Sequence, residues 1–377
     1  MRYYMIAGEA SGDLHASNLI KGLRQYDPQA DIRGWGGDLM QSAGADIVRH
    51  YKDTAVMGFF TVLKNLGRIK ENIRQCCADI QAWQPDVVLL VDYGGFNLKI
   101  ARYAKEHGFR VFYYISPKIW AWNTGRVETI RKYVDRMYVI FPFEQEFYSR
   151  YGYRADYAGN PLTDAICNRP FQDESVEEFV RTNKLSGKPL IALVAGSRAQ
   201  ELKNMLPKML SVRADFPEYE FVIAGAPSMS EADYAPYVRG TDVRILYGQT
   251  YRLIRHSAAA LVTSGTATLE TALLKTPQVV CYSGEGGLFY YLMFKWFVKV
   301  KYISLVNLIL DKEAITELLM QKLNRKRLAK ELSAILQDPA RRKQMLADYD
   351  EVEKRLGAPG ASGRFAEMMV KALHSIS

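Results

Sequence analysis

Cysteine is scarce in this sequence, and the common signature motifs of catalytic and cofactor sites are missing from it. Four cysteines occur among 377 residues, and none stands in a Cys-x-x-Cys pair, which argues against a disulfide scaffold and a structural zinc site. The five histidines show no metal-ligand spacing. No GxGxxG fingerprint, P-loop, HExxH or nucleophile elbow is present, so the sequence gives no support to dinucleotide binding, bound-metal hydrolysis or Ser/His/Asp catalysis.

Long apolar runs are also missing. No stretch of about 18 uncharged apolar residues exists, so we expect no transmembrane helix. The apolar start Tyr3–Ala7 is too short for the core of a signal peptide, so we expect a cytoplasmic protein. A charged fraction of 24% with 12% aromatic residues excludes a disordered chain. The chain is 48% hydrophobic and carries a formal net charge of +9. Because no nucleic-acid-binding motif accompanies the basic excess, the charge needs a more local explanation.

The pattern of apolar residues predicts two α/β domains. Short apolar runs, such as Asp86–Asp92 and Gln278–Tyr282, alternate with helical segments, which is typical of doubly wound parallel sheets. A polar linker with prolines interrupts the alternation at Asn160–Lys188, and the strand signal ends after Asp311. We therefore predict two Rossmann-like domains, 1–165 and 186–340, that face an interdomain cleft, and a helical C-terminal tail, 341–377.

Two strand-to-helix turns of the first domain carry carboxylates. The turn Ala7–Asp13 brings Glu9 and Asp13 to the edge of the sheet where such folds bind ligands, although a tight turn with Asp13 as a helix cap is the alternative. Asp92 ends a buried strand, where a carboxylate with a raised pKa suits a general base. Capping of the next helix is the alternative for Asp92.

Two turns of the second domain have the features of a phosphate site. Gly196 permits close approach of a ligand, and Arg198 can bind phosphate oxygens through two N–H groups, unless it is a surface residue at a helix start. Ser264–Thr266 ends a strand and opens a helix whose free N–H groups can bind an anion. Glu270, one helical turn later, could accept hydrogen bonds from ribose hydroxyls. This combination fits a nucleoside diphosphate, with a hydroxyl-capped core helix as the alternative.

The segment Leu288–Val300 combines aromatic residues with lysines that lie four apart. Tyr and Trp favour the membrane–water boundary, and lysines there attract anionic lipid. The segment therefore predicts contact with an anionic membrane surface or with acyl chains, and a buried helix with snorkelling lysines is the alternative. The residues expected to make this contact are Phe289, Tyr290, Phe294, Lys295, Trp296, Phe297 and Lys299.

These turns, in this order, resemble the lipid-A-disaccharide synthase family of inverting glycosyltransferases with the GT-B fold. The matching strings extend over the whole chain, and AGEASGD and YISPKIWAW are the most specific of them. They are AGEASGD (7–13), AVMGF (55–59), PDVVLLVDYGGFN (85–97), YISPKIWAW (114–122), FPFEQEFY (141–148), AGNPLTDA (158–165), GSRAQE (196–201), SGTATLE (264–270) and KYISLVNLI (301–309).

The resemblance implies transfer of 2,3-diacylglucosamine from its UDP conjugate to 2,3-diacylglucosamine 1-phosphate (lipid X). It implies an acceptor role for the first domain, a UDP-sugar role for the second, and a tail that packs back on the first. Asp92, Glu9 and Arg198 would be the catalytic residues, without a metal or other cofactor. Substrate contacts would come from Ser11, Asp13, Asn97, Gly196, Ser197, Ser264, Gly265, Thr266, Glu270 and Asn307. The implied location is peripheral, at the inner membrane of a Gram-negative bacterium, with a homodimer as an open possibility.

The chain departs from the family pattern at two positions. Members of the family often read Asp-x-x-Asp-Phe-Asn where this chain has Gly95 in place of the second Asp, which removes one candidate base and places more weight on Asp92. Val306 stands where a proline is common. Another UDP-sugar GT-B enzyme, such as a lipid-linked GlcNAc transferase or a UDP-GlcNAc epimerase, is the alternative within enzymes. A nucleotide-binding or membrane-surface protein without activity is the alternative outside them.

Overall fold

The computed structural model describes residues 1–54, 66–122, 124–283 and 301–375. Contacts between residues divide the chain into two compact units. The first unit comprises Met1–Asp164 and Leu356–Ser377, and the second comprises Ala165–Arg355. The bounds expected from the sequence were 1–165, 186–340 and 341–377, so this division assigns residues 341–355 to the second unit and returns only the last helix to the first.

The first unit contains a parallel sheet of seven strands within the described residues, in the order β3-β2-β1-β4-β5-β6-β7. Residues of β1 alternate between two cores, with Tyr3 and Met5 on one face and Tyr4 and Ile6 on the other. Both faces are therefore buried, as the continuous apolar runs predict. The strands are β1 (Arg2–Ala7), β2 (Asp31–Gly36), β3 (Asp46–His50), β4 (Val87–Val91), β5 (Arg110–Tyr114), β6 (Arg136–Val139) and β7 (Ala155–Tyr157).

Helices cover both faces of this sheet. They are α1 (Ala10–Tyr26), α2 (Asp38–Ser42), α3 (Tyr51–Thr54), α4 (Leu66–Trp83), α5 (Gly94–Glu106), α6 (Ile119–Trp122), α7 (Arg126–Tyr133), α8 (Pro142–Ser149) and α9 (Pro161–Cys167), the last of which crosses into the second unit.

The second unit is built in the same way around a parallel sheet with the order β10-β9-β8-β11-β12-β13. Its strands are β8 (Leu190–Val194), β9 (Glu220–Gly225), β10 (Arg244–Tyr247), β11 (Ser257–Thr263), β12 (Gln278–Tyr282) and β13 (Glu317–Leu319). Its helices are α10 (Val176–Thr182), α11 (Ala199–Leu210), α12 (Glu231–Val238), α13 (Thr250–Arg255), α14 (Thr266–Leu273), α15 (Leu305–Leu310), α16 (Arg325–Gln337) and α17 (Pro339–Leu356).

The last helix, α18 (Ala361–His374), returns to the first unit and packs along α1. The two helices approach closely at Gly22, where an added Cβ would lie 3.0 Å from the Cβ of Ala366. Asp164 fixes the start of α18, because its carboxylate accepts hydrogen bonds from the backbone N–H groups of Gly360 (2.6 Å), Ala361 (3.1 Å) and Ser362 (3.0 Å). The hydroxyl of Ser362 adds a fourth bond at 2.9 Å.

Two details differ from the sequence-based expectation. The prediction that strands end after Asp311 is wrong, since Glu317–Leu319 forms β13 beside β12; three residues are too few to show a hydrophobic period. Helix α1 begins at Ala10 rather than near Leu14, because its first turn is made of small and polar residues that carry no apolar periodicity. Ser11 and Asp13 therefore lie inside the helix.

Replacing Asp164 with Ala should lower the free energy of unfolding of the first unit by about 2–4 kcal/mol, because buried N–H groups at the start of α18 lose their acceptor. Urea unfolding can be followed by tryptophan fluorescence, since four of the five tryptophans lie in this unit. The matched control is Glu367→Ala, which removes only a surface ion pair with Lys371 on the same helix and should cost less than about 0.5 kcal/mol. Equal effects of the two substitutions would contradict the role given to Asp164.

Candidate functional site

The strand order of the first sheet places its ligand-binding edge at the junction of β1 and β4. From β1 the chain proceeds outward through β2 and β3, and from β4 it proceeds in the opposite direction through β5 to β7. At such a switch point, the helices that follow the two strands lie on opposite faces, and a crevice opens at the carboxyl ends of the strands. Glu9 follows β1 and Asp92 follows β4, so both carboxylates lie at this crevice.

The backbone after β4 is unusual, because two consecutive non-glycine residues have left-handed conformations. Asp92 has φ 47° and Tyr93 has φ 50°, which costs about 1–2 kcal/mol for each residue. The surroundings hold the turn in place: the Asp92 carbonyl accepts hydrogen bonds from the Asn97 amide (2.8 Å) and the Tyr113 hydroxyl (2.6 Å). Strain of this kind is typical of functional sites that depend on a fixed geometry.

The electrostatic surroundings of Asp92 suit a proton acceptor. Its side chain is half-buried, and burial raises the pKa of its carboxyl above the ordinary value. The positive charge of Lys118 and a hydrogen bond from the Tyr93 N–H oppose this increase, while the negative charge of Glu9 adds to it. Asp92 is thus a carboxylate with a raised pKa at the switch point, a property that suits a general base.

The turn after β1 packs directly against the Asp92 turn. The ring of Tyr93 lies over Gly8, where an added Cβ would come within 2.3 Å of it, so only glycine fits there. Glu9 occupies the cap position of α1, half-buried and without a side-chain hydrogen bond to the helix, and Ser11 is exposed in the first turn of that helix. The turn therefore keeps Glu9 and Ser11 accessible beside Asp92.

Two residues of this unit that were predicted to bind substrate form side-chain hydrogen bonds to the backbone of neighbouring elements. The buried carboxylate of Asp13 accepts hydrogen bonds from three backbone N–H groups at the start of α2, those of Gly37 (2.8 Å), Leu39 (3.1 Å) and Met40 (3.0 Å). The fully buried Asn97 donates its amide to the ends of β4 and β1 and to the Asp92 carbonyl. These bonds make Asp13 a poor candidate for the base.

The loop after β5 lies at the same edge of the sheet, beside the Asp92 turn. The hydrogen bonds of Glu144 that hold this loop in place were not predicted from the sequence. Trp120 donates its ring N–H to Glu144 (3.1 Å), whose other oxygen accepts the backbone N–H groups of Ile140 and Phe141. Burial raises the pKa of Glu144 to about 7, although these hydrogen bonds lower it in part. A proline followed two residues later by Glu, in PFE at the start of α8, is the sequence signal that could have indicated this helix-start carboxylate.

The second sheet has its own switch point, between β8 and β11. Gly196 follows β8 with φ 110°, and an added Cβ would lie 2.3 Å from a carboxylate oxygen of Glu201, so glycine is required on both counts. Glu201 accepts the backbone N–H of Ser197 (2.8 Å) and thereby fixes the turn. Arg198 and Ser197 are exposed, and the side chain of Arg198 bonds to no other described residue. Sequence reasoning missed Glu201, although its position three residues after the helix cap is the spacing of a capping box.

The turn after β11 leaves a helix start without a side-chain cap. Helix α14 begins at Thr266, and its cap residue Gly265 has no side chain to bond the first N–H groups, which suits them to an anionic ligand. The hydroxyl of Ser264 donates a hydrogen bond to the carbonyl of Ile303 (3.2 Å). Glu270 lies one turn further, and burial raises the pKa of its carboxyl. The hydroxyl of Tyr251 donates a hydrogen bond to this carboxyl at 3.3 Å, and no sequence pattern had pointed to Tyr251.

Asn307 is fully buried, and its side chain is saturated with hydrogen bonds. The amide nitrogen donates to the Ile315 carbonyl (2.9 Å) and Glu317 (3.0 Å), while the amide oxygen accepts the N–H groups of Ala314 (2.8 Å) and Ile315 (3.0 Å). An amide can make about this many bonds, so a substrate contact of Asn307 would require one of them to break.

The predicted membrane or acyl contacts lie outside the described residues. They belong to 288–300, and the AVMGF string at 55–59 is likewise outside. Among the described helices, none is both long and apolar enough to cross a bilayer. Within the same residues, no group of three or more His, Cys, Asp or Glu side chains is placed to hold a metal ion.

The two edges therefore offer different chemistry. The first unit presents a carboxylate that can accept a proton, with a second carboxylate and a lysine beside it. The second presents an exposed guanidinium, a helix start without a side-chain cap and a half-buried carboxylate one turn along, which together can bind a diphosphate and a ribose. A proton acceptor and a diphosphate site are the parts that a nucleoside-diphosphate-sugar transferase needs.

Comparison with known proteins agrees with this chemistry. The family model described as lipid-A-disaccharide synthetase matches residues 3–363. A lipid-A-disaccharide synthase of Syntrophus aciditrophicus (strain SB) is 37% identical over 371 residues, which are 97% of this chain and 96% of that protein.

Solved structures share the fold at low sequence identity. A UDP-GlcNAc 2-epimerase from Neisseria meningitidis, bound to UDP-GlcNAc, superimposes with a TM-score of 0.69 at 12% identity, covering 98% of this chain and 100% of that one. The glycosyltransferase of kitacinnamycin gives a TM-score of 0.64 at 14% identity, with 98% of each chain covered. These likenesses show the GT-B type of fold and do not separate an epimerase from a transferase; the family model and the sequence relative do.

Gly94 and Gly95 form a matched pair that tests the packing of this edge. An added Cβ at Gly94 would lie 2.8 Å from the side chain of Pro117 in the loop after β5, whereas one at Gly95 would meet nothing within 4 Å. Gly94→Ala should therefore lower the free energy of unfolding by about 1–3 kcal/mol. Gly95→Ala should leave it unchanged or raise it by up to about 1 kcal/mol. Urea unfolding of both variants measures this, and a Gly94→Ala variant as stable as Gly95→Ala would contradict the described contact.

Proposed function

The chain belongs to the lipid-A-disaccharide synthase family, and from that premise we propose which of its residues perform the reaction. The enzyme is an inverting, UDP-sugar-dependent glycosyltransferase. It transfers 2,3-diacylglucosamine from UDP-2,3-diacylglucosamine to 2,3-diacylglucosamine 1-phosphate and forms the β-1,6 disaccharide 1-phosphate and UDP. The observation on which the assignment of residues rests is the position of Asp92, a carboxylate with a raised pKa at the switch point of the first sheet.

Asp92 activates the acceptor in this proposal. It accepts the proton of the 6-hydroxyl as that oxygen attacks the anomeric carbon of the donor sugar. The strained turn and the hydrogen bonds to its carbonyl keep the carboxylate in one position, so little rearrangement is needed at the moment of reaction. Glu9 supports this role through its negative charge, which raises the pKa of Asp92, and Ser11 is available to the acceptor at the exposed start of α1.

The second unit receives the departing UDP. Arg198 and the first N–H groups of α14, with Ser264 and Thr266, bind the diphosphate and stabilise the negative charge that develops on it. Gly196 and Ser197 let the backbone approach the same phosphates closely. Glu270 accepts hydrogen bonds from the ribose hydroxyls, in an orientation held by Tyr251.

These roles account for a single displacement. The bond from the acceptor oxygen to the anomeric carbon forms while the bond from that carbon to the diphosphate oxygen breaks, and the proton ends on Asp92. Attack opposite the leaving group inverts the anomeric centre, so no protein nucleophile is required.

We also propose that the enzyme works at the surface of an anionic membrane, on its cytoplasmic side. Both substrates carry two acyl chains and are therefore held by a lipid bilayer, and the aromatic, lysine-containing segment 288–300 has the composition of an interfacial segment. This would account for part of the basic excess of the chain.

Asp92→Asn should lower kcat by about 10²–10⁴-fold, because the reacting hydroxyl loses its proton acceptor. The affinity for UDP, measured by calorimetry, should be unchanged. Arg198→Ala is the matched contrast and should weaken UDP binding about 10- to 100-fold through the loss of charge-assisted hydrogen bonds. Full turnover by Asp92→Asn would exclude Asp92 as the base.

Glu9→Gln distinguishes the two remaining carboxylates. Since the charge of Glu9 raises the pKa of Asp92, its removal should lower that pKa. A base must be deprotonated, so activity is lost as the pH falls through its pKa; the acid limb of kcat/KM should therefore shift to lower pH in Glu9→Gln, with most of the activity retained. Loss of activity at every pH would instead identify Glu9 as the base.

Replacing Lys295 and Lys299 with Ser should weaken binding to anionic vesicles by about 2 kcal/mol at low salt, because each lysine near such a surface contributes about 1 kcal/mol. Co-sedimentation with vesicles measures this. The double replacement Lys326→Ser and Lys330→Ser on the exposed face of α16 removes the same charge elsewhere and serves as the control. If both pairs weaken binding equally, net charge rather than the 288–300 segment determines the membrane affinity.

A further inference from the structure

Lys118 is the one exposed residue in an otherwise buried stretch of the first unit. From Val111 to Trp120, the other nine residues are buried. They comprise most of β5 and the first residues of the loop that follows it, on both sides of Lys118. A loop that hides every other side chain and presents a single ammonium group to solvent is well suited to place that charge at a fixed point.

The loop is held rigidly on both sides of Lys118. Ser116 bonds to the hydroxyl of Tyr148 (2.8 Å), and Trp120 bonds to the buried Glu144 (3.1 Å). Ile115 has a left-handed φ of 63°, a conformation that a β-branched residue adopts only where its surroundings enforce it. The backbone that carries Lys118 is therefore held by buried contacts on both sides.

The loop rests directly on the Asp92 turn. The side chain of Pro117 packs against Gly94, two residues after Asp92, and the charge of Lys118 acts on the Asp92 carboxylate. A cation beside a general base lowers its basicity, so Lys118 opposes the proton transfer as long as its charge is not compensated. Its position beside Asp92 therefore points to a second role for this lysine.

The surroundings favour an anion at the same place. A groove that begins at Gly94 and Gly95 continues between α5 and α7, and its lining includes Lys99, Arg126 and Lys132, with Glu128 as the one acidic residue among them. The lining of this groove therefore carries more positive than negative side chains, which attracts a group with negative charge.

The acceptor supplies such a group at a suitable distance from its reacting hydroxyl. In a hexose, only C5, the ring oxygen and C1 lie between the C6 carbon and the oxygen that carries the anomeric phosphate. A side chain that binds this phosphate must therefore lie close to the base that receives the proton from the 6-hydroxyl, as Lys118 does.

We propose that Lys118 binds the anomeric phosphate of the acceptor and selects for phosphorylated acceptors. This inference rests on Asp92 as the base of the transferase reaction. The lysine meets the phosphate as a point charge on a flexible stem, which tolerates small differences in sugar position. It has a consequence for the reaction: once the phosphate compensates the charge of Lys118, the pKa of Asp92 is no longer held down, and the base becomes stronger when the acceptor is bound.

The test compares Lys118→Gln with the unaltered enzyme on two acceptors, 2,3-diacylglucosamine 1-phosphate and the same sugar without its phosphate. For the phosphorylated acceptor, Lys118→Gln should raise KM roughly 10- to 100-fold, the loss expected for one charge-assisted contact, with the KM for the donor unchanged. For the phosphate-free acceptor, Lys118→Gln should not raise KM, because no phosphate contact is lost, and the acid limb of its kcat/KM profile should shift to higher pH because the lysine charge no longer lowers the pKa of Asp92. Lys118→Arg should restore most of the affinity for the phosphorylated acceptor.

Lys21→Gln, which removes the same charge from an exposed position on α1, is the control and should leave both acceptors unaffected. Equal losses of kcat/KM on the two acceptors would overturn the proposal, since Lys118 would then act only through Asp92 or the loop. An equal effect of Lys21→Gln would overturn it as well, in favour of a general field. Turnover by the unaltered enzyme tests the transferase function separately. That function therefore stands even if Lys118 does not distinguish the phosphorylated acceptor from the phosphate-free one.

Discussion

The order of the parallel strands is the constraint on which the sites of this protein depend. In each unit, the chain leaves two adjacent strands in opposite directions, β1 and β4 in the first and β8 and β11 in the second. Right-handed crossovers then place the following helices on opposite faces, so the carboxyl ends of these strands cannot be covered by the helices that continue from them. Asp92 and Glu9 lie at one uncovered edge, and Arg198 and the start of α14 lie at the other.

The residues at these edges divide into those that face a ligand and those that hold the edge in shape. Asp13, Asn97, Glu144, Glu201 and Asn307 are polar residues whose side-chain bonds go mainly to the backbone of neighbouring turns. One of them, Asn97, donates to the Asp92 carbonyl and so helps to hold Asp92 and Tyr93 in a conformation that isolated residues avoid. These motif residues of the chain therefore bond within the protein and fix the turns at the two edges.

The sequence was sufficient for the central strands and for the turns that follow them, because both leave local signals. Buried parallel strands such as β12 appear as continuous Val-rich runs, and turns that approach a ligand contain Gly, Ser and Asp directly after such runs. The partners of buried polar side chains could not be predicted in this way. Asp13 bonds to Gly37 and Met40, which are brought to it only by the pairing of β1 with β2, and Asn307 is saturated by residues of the segment that leads into β13. Such contacts depend on tertiary structure and leave no pattern in the chain.

We propose a division of labour, in which the first unit activates the acceptor and the second receives UDP. Hydrogen–deuterium exchange, measured with each ligand alone, tests it directly. UDP should slow exchange in the peptides around 196–204 and 264–274, and the acceptor should slow it around 8–13, 92–97 and 115–120. Protection of 92–97 by UDP without any protection at 264–270 would contradict the account.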